Sequence, residues 1–132
     1  MNPVVHFELP ARDRERSAAF YEKAFGWKML RMGESMGNYI MVQTGPTKEN
    51  GMLEQTNMIN GGIYEPDENM PNQAPSVVVH VDDIARHIPV VQAAGGTVLG
   101  EPMDIPGVGK YVAFKDPEGN QLSMLQPTAP MA

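Results

Sequence analysis

The chain has 132 residues, the size of one compact domain, and 42% of them are hydrophobic, which is enough for an ordinary core. It has no cysteine, and this excludes disulfides, thiolate metal sites, iron–sulfur clusters and cysteine nucleophiles. A formal net charge of −6, with no cluster of lysine and arginine, argues against a nucleic-acid partner. We find no signal-peptide pattern and no apolar run near the roughly 20 residues of a membrane span, so we expect a cytoplasmic protein with no membrane partner.

The chain opens on an alternating segment, VVHFEL, at residues 4–9. In a β-strand, this alternation places His6 and Glu8 on one face and the neighbouring apolar side chains on the other. We expect the apolar face to pack under the first helix. The polar pair then faces either water or a cavity, and the second case would make it a functional site.

A helix and three strands follow in the first half. The segment RERSAAFYEKAFG has apolar residues at helical spacing, with Asp13 placed to cap its start and Gly26 to end it in the left-handed conformation. The segments WKMLRM, NYIMVQT and MINGGIY then carry strand signals.

The second half has the same order of elements. A valine-rich strand, SVVVHV at residues 76–81, leads to Asp83, which caps the helix IARHIPVVQAAGG. Pro89 fits a helix interior poorly, and we expect a helix that is irregular after its first turn. The strands TVLGEPM, KYVAFK and NQLSML follow, with the turn DPEGN between the last two.

The two halves are an internal repeat. A shift of 70 residues places Asp13 on Asp83, Gly26 on Gly96 and His6 on Ser76. Each half therefore has the order β-α-β-β-β, which predicts an α+β protein. We expect one domain over 1–132, in which module one covers about 3–66, a linker about 64–75 and module two about 76–127.

Several segments together carry a resemblance to a known family: VVHFELPARD, FYEKAFGW, VHVDDI, AAGGTVL and FKDPEGNQLSML. Over about residues 3–127, the chain resembles the vicinal oxygen chelate superfamily of glyoxalase I, bleomycin- and fosfomycin-resistance proteins and extradiol dioxygenases. The resemblance implies two βαβββ modules whose curved mixed sheets surround a cavity, and commonly a homodimer. It does not specify a reaction, because the superfamily includes isomerases, lyases, dioxygenases, transferases and non-catalytic drug binders.

The resemblance also implies positions for metal ligands. In the metal enzymes of the superfamily, the first and last strands of each module hold a divalent cation that stabilises an enolate or a related oxyanion. In this chain His6 matches one ligand position, but the other three fall on Gly61 or Gly62, on Ser76 and on Ser123. A catalytic divalent site normally has three histidine or carboxylate ligands, so we expect an incomplete metal site.

An unusual ligand set is an alternative. His6, Glu8 and His80 have the stoichiometry of a two-histidine, one-carboxylate site for zinc, nickel, manganese or iron. However, His6 and Glu8 are two positions apart on one strand, about 6.5–7 Å between Cα atoms, which is not the family's spacing. His6 and Glu8 could also act as a proton acceptor and donor, because desolvation in a cavity would raise the pKa of Glu8.

We expect six residues to line the site: His6, Glu8, Ser76, His80, Tyr111 and Ser123. Small serines in a sheet-lined cavity leave room for a ligand and offer hydrogen bonds. Tyr111 is equally well interpreted as an ordinary aromatic strand residue, and His80 as a structural one.

Three functions are therefore open. The first is binding of an amphipathic small molecule in a partly apolar cavity, which eleven methionines could help to line. The second is metal-dependent lyase, isomerase or dioxygenase chemistry that uses His6. The third is metal-free acid–base catalysis by Glu8 with His6 or His80. We favour the first.

Overall fold

The computed structural model describes residues 1–69 and 73–128. The predicted linker, residues 64–75, includes residues 70–72, which lie outside the described residues. The elements in chain order are β1 (Val4–Pro10), α1 (Arg14–Phe25), β2 (Lys28–Arg31), a 3₁₀ turn (Glu34–Met36), β3 (Ile40–Gln43), β4 (Asn60–Tyr64), β5 (Ser76–His80), α2 (Ile84–Ala93), β6 (Thr97–Ile105), β7 (Gly109–Lys115) and β8 (Gln121–Pro127).

The chain forms two compact units, and each is described by itself. The first unit, residues 6–75, has its strands in the order β2-β3-β4-β1, with β1 parallel to β4 and the other two pairs antiparallel. Its core contains the buried residues Ala18, Ile40, Val42 and Ile63, against which Phe7 and Leu9 pack. The predicted packing of Phe7 and Leu9 beneath the first helix is confirmed.

Helix α1 begins and ends where the sequence predicts. The Asp13 carboxylate accepts a hydrogen bond from the backbone N–H of Arg16 at 3.0 Å and so caps the first turn. Gly26 ends the helix with a φ of 72°, in the left-handed region that favours glycine. The helix therefore has a defined length and covers one face of the first sheet.

The second unit contains residues 1–5 and the chain from residue 76 onward. Its strands lie in the order β5-β8-β7-β6, with β5 parallel to β8 and the remaining pairs antiparallel. Helix α2 continues through Pro89 as one uninterrupted α-helix, so the predicted irregularity after its first turn is wrong. Asp83 caps it as predicted. The core of this unit consists of Val81, Ile84, Val112 and Met124.

Both units thus follow the order β-α-β-β-β with a mixed sheet, which confirms the predicted α+β class and the βαβββ arrangement. In the part of the chain that the structure describes, neither helix has the length and apolar character needed to span a membrane.

The packing around β4 yields a prediction about stability. An added Cβ at Gly61 would lie 2.5 Å from two carbons of the Phe7 ring, so Gly61→Ala should overpack the core. Overpacking of this kind typically costs about 1–3 kcal/mol, and we expect urea denaturation to show a loss in that range. In a Phe7→Leu background the ring is gone, so the loss caused by Gly61→Ala should shrink. Equal losses in both backgrounds would contradict this account of the contact.

Candidate functional site

The candidate site lies on the face of the first unit's sheet that is opposite α1. Strand pairing sets His6 beside Asn60 and Glu8 beside Gly62, so these four residues share one face. Phe7 and Leu9 point the other way, into the core under the helix. The alternation read from the sequence therefore separates a packing face from a polar face on the same strand.

Tyr39 is the residue that completes this face. Its hydroxyl lies 3.0 Å from Nε2 of His6, a hydrogen bond between residues 33 positions apart. The phenol also lies directly over Gly62, where a Cβ would overlap its hydroxyl and ring carbons. Of the two positions, Gly61 or Gly62, at which the resemblance implies a metal ligand, Gly62 is therefore covered by a tyrosine from elsewhere in the module.

The loop before β3 places Tyr39 there. Gly33 and Gly37 flank the 3₁₀ turn and both have positive φ, as does Asn38. Backbone hydrogen bonds then hold Tyr39, whose N–H donates to the carbonyl of Met36 and whose carbonyl accepts from the N–H of Met32. The side chain thus starts from a backbone that hydrogen bonds hold in place just before β3.

The hydrogen bond between His6 and Tyr39 joins two uncharged groups at neutral pH. Burial lowers the pKa of His6 from 6.5 to about 4, so the imidazole is neutral. Burial, together with the negative charge of Glu8, raises the pKa of Tyr39 above its ordinary value. The phenol O–H donates to Nε2 in one histidine tautomer and accepts from Nε2–H in the other.

Glu8 and Tyr64 extend the polar face. Burial raises the pKa of Tyr64 and the Glu8 charge adds to that shift, which places this carboxylate near both Tyr39 and Tyr64. A groove of about 580 Å³ borders both tyrosines, and the other residues that line it are Met36, Gly37, Glu65, Pro66, Asp67, Glu68 and Asn69. The polar face thus combines neutral hydrogen-bonding groups with a carboxylate, beside a groove with acidic walls.

In the second unit, two of the predicted residues lie together. The Ser123 hydroxyl, buried on β8, lies 2.6 Å from the hydroxyl of Tyr111. Ser76 Oγ donates to the carbonyl of Gln121 at 3.0 Å, and the backbone N–H of His80 donates to the carbonyl of Pro3 at 2.9 Å. The serine hydroxyls are therefore tied to their own sheet.

These residues do not fit a divalent metal. Over residues 1–69 and 73–128, no three or more histidine and carboxylate side chains are grouped to hold an ion. Gly62 offers no donor, and the serines offer only neutral hydroxyls, which are poor ligands for such an ion. Nε2 of His6 already has the Tyr39 hydroxyl as its partner.

Sequence reasoning missed Tyr39 and Tyr64. Two signals were present: adjacent glycines in a strand leave space that neighbouring side chains must fill, and NYIMVQT carries a tyrosine just before its apolar alternation. Neither signal identifies which side chain fills the space, because the contact joins β1, β4 and the loop before β3.

Comparison with known proteins identifies the family. Residues 4–124 match the model of the Glyoxalase/Bleomycin resistance protein/Dioxygenase superfamily, and the chain belongs to that superfamily. A lactoylglutathione lyase of Salmonella typhimurium is 29% identical over 127 residues, covering 93% of this chain and 91% of that protein. A probable chloroplastic lactoylglutathione lyase of Arabidopsis thaliana is 31% identical over 121 residues, covering 89% of this chain but only 33% of the relative, so the chain spans about a third of that relative's length.

Solved structures agree on the fold. The Streptomyces coelicolor methylmalonyl-CoA epimerase superposes with a TM-score of 0.72 at 16% identity, covering 100% of this chain and 99% of that one. At this identity the likeness establishes the fold alone.

The depressed pKa of His6 predicts a pH dependence of stability. Between about pH 6.5 and pH 4 the unfolded chain binds a proton at His6 that the folded chain does not, so the free energy of unfolding should rise with pH across that window. The contribution is of order 1–3 kcal/mol. Urea denaturation at several pH values should show that His6→Gln loses this part of the slope, whereas His87→Gln keeps it. An unchanged slope in His6→Gln would show that the imidazole is not desolvated.

Proposed function

We propose that this protein binds an amphipathic small molecule at the polar face of its first module, without a divalent metal at His6. The observation that carries the proposal is the position of Tyr39, whose phenol covers Gly62 and bonds the nitrogen of His6. His6, Tyr39 and Glu8 then contact the ligand as hydrogen-bonding groups. For the second unit by itself, we propose Ser76, His80, Tyr111 and Ser123, the further residues predicted from the sequence, as ligand-contacting residues.

The groove beside Tyr39 and Tyr64 supports a ligand of modest size. Its volume of about 580 Å³ lies within the roughly 300–1,000 Å³ typical of small-molecule sites. Tyrosine rings and Met36 offer apolar contact, while Glu65, Asp67 and Glu68 disfavour an anion. A neutral or cationic amphipathic molecule therefore suits these walls best.

A second candidate is a metal-dependent lyase, isomerase or dioxygenase that uses His6. The relatives named as lactoylglutathione lyases, at 29–31% identity, favour it. This candidate requires the phenol of Tyr39 to move away from Nε2 of His6. It also requires more metal ligands than the described residues group together. A homodimer and a cytoplasmic location are further proposals, which rest on the family resemblance and on the sequence.

Metal analysis combined with an assay separates the two candidates. The protein is purified without chelator, incubated with Zn²⁺ or Ni²⁺ and desalted. We expect elemental analysis to find far less than one equivalent of metal per chain, because the described residues group too few histidine and carboxylate ligands around His6. We also expect the protein not to form the thioester S-lactoylglutathione from glutathione and the corresponding 2-oxoaldehyde. One retained equivalent that is lost in His6→Ala, together with thioester formation, would establish the metal-dependent enzyme instead.

Ligand-observed NMR with a library of neutral and cationic amphipathic molecules tests binding directly. Molecules that compete with one another for binding should bind more weakly to the His6→Ala and Glu8→Gln variants. Their binding should be unchanged in the matched control His87→Ala, which alters a histidine on α2. Equal binding by all variants would place the ligand elsewhere.

A further inference from the structure

The structure contains two tyrosines in equivalent positions. In the first unit Met41 on β3 pairs with Gly62 on β4, and in the second unit Ala113 on β7 pairs with Ser123 on β8. Tyr39 lies two residues before Met41, and Tyr111 lies two residues before Ala113. The corresponding strand pairings of the two units therefore match Tyr39 with Tyr111, and Gly62 with Ser123.

In both units, the tyrosine hydroxyl reaches the matched residue of the last strand. Tyr111 ends 2.6 Å from the hydroxyl of Ser123, which supplies a partner of its own. Gly62 supplies none, and its missing side chain lets the phenol of Tyr39 lie directly on the strand. From there the Tyr39 hydroxyl reaches past Gly62 to His6, whose strand β1 is the parallel neighbour of β4.

We propose that Tyr39 is a positioning residue, which, with Gly62, fixes the orientation of the His6 ring and closes the place beside Nε2 to a metal ion. The inference deepens the proposed function and rests on His6 being part of that site. The pair is matched in size, since any side chain at position 62 would displace the phenol. The phenol of Tyr39 can therefore keep its place only if position 62 is a glycine.

The hydrogen bond from Tyr39 determines which orientation of the His6 ring a ligand encounters. A buried imidazole whose Nε2 is held by the Tyr39 hydroxyl keeps one ring orientation, whereas a ring without this hydrogen bond would be free to rotate. Removing only the hydroxyl should release the ring from this hydrogen bond while leaving the ring cover in place. Removing the whole phenol should also let water reach the imidazole.

Long-range ¹H–¹⁵N NMR of the histidine rings in the metal-free protein tests the inference. In the wild type we expect His6 to titrate near pH 4. Tyr39→Phe should shift the Nε2 resonance, because this nitrogen loses its hydrogen-bond partner. Tyr39→Ala should raise the pKa of His6 from about 4 toward its ordinary value of 6.5.

Tyr111→Phe is the matched control, because it removes the equivalent hydroxyl in the other module and should leave the His6 resonances unchanged. Gly62→Ala should reproduce the effect of Tyr39→Ala on His6. If Gly62→Ala does not fold, the double variant Gly62→Ala/Tyr39→Ala should recover folding, because the clash is gone.

Wild-type His6 resonances and titration in both Tyr39 variants would overturn the inference. This outcome differs from a failure of the proposed function, which would appear as a retained metal equivalent in the elemental analysis. The NMR measurement reports on the His6–Tyr39 contact in the absence of metal, so each idea can fail alone.

Discussion

Two consecutive glycines in β4 determine how the first module is built. On one side of the strand, the Phe7 ring fills the space beside Gly61 and joins the core under α1. On the other side, the Tyr39 phenol fills the space beside Gly62 and reaches His6. A strand with side chains at both positions could hold neither aromatic group in place, so the core and the polar face depend on the same dipeptide.

The result is a site whose central pair is uncharged. Burial makes both the imidazolium of His6 and the phenolate of Tyr39 unfavourable, so the two groups meet as neutral hydrogen-bonding partners. Glu8 supplies the negative charge nearby, and that charge opposes ionisation of the tyrosines. Such a face is suited to hold a polar group of a ligand, and it differs from a cluster of anionic oxygens and free nitrogens around a cation.

Much of the fold could be predicted because it depends on local chemistry. Asp13 and Asp83 cap their helices, and Gly26 ends α1, for reasons that lie within one turn of chain. The split of β1 into a core face and a polar face follows from alternation alone. The shift of 70 residues then predicts the second module from the first.

The site could be predicted only in part, because it depends on contacts distant in sequence. His6 and Glu8 were found from the pattern of their own strand, and their role as site residues stays a prediction. Tyr39 enters through a turn that depends on the positive φ of Gly33, Gly37 and Asn38, and no periodicity in the sequence indicates where that turn directs the next side chain. The glycines showed that side chains are missing from β4, but not that the phenol of Tyr39 fills the space beside Gly62.

The central claim is that Tyr39, and not a metal ion, is the partner of His6. A crystal structure of the protein grown with excess Ni²⁺, with anomalous data collected at the nickel edge, tests it most directly. The account predicts that the Tyr39 hydroxyl stays within hydrogen-bonding distance of Nε2, near 3.0 Å, with no anomalous peak beside His6. A nickel peak bonded to Nε2, with the phenol swung away from Gly62, would contradict it.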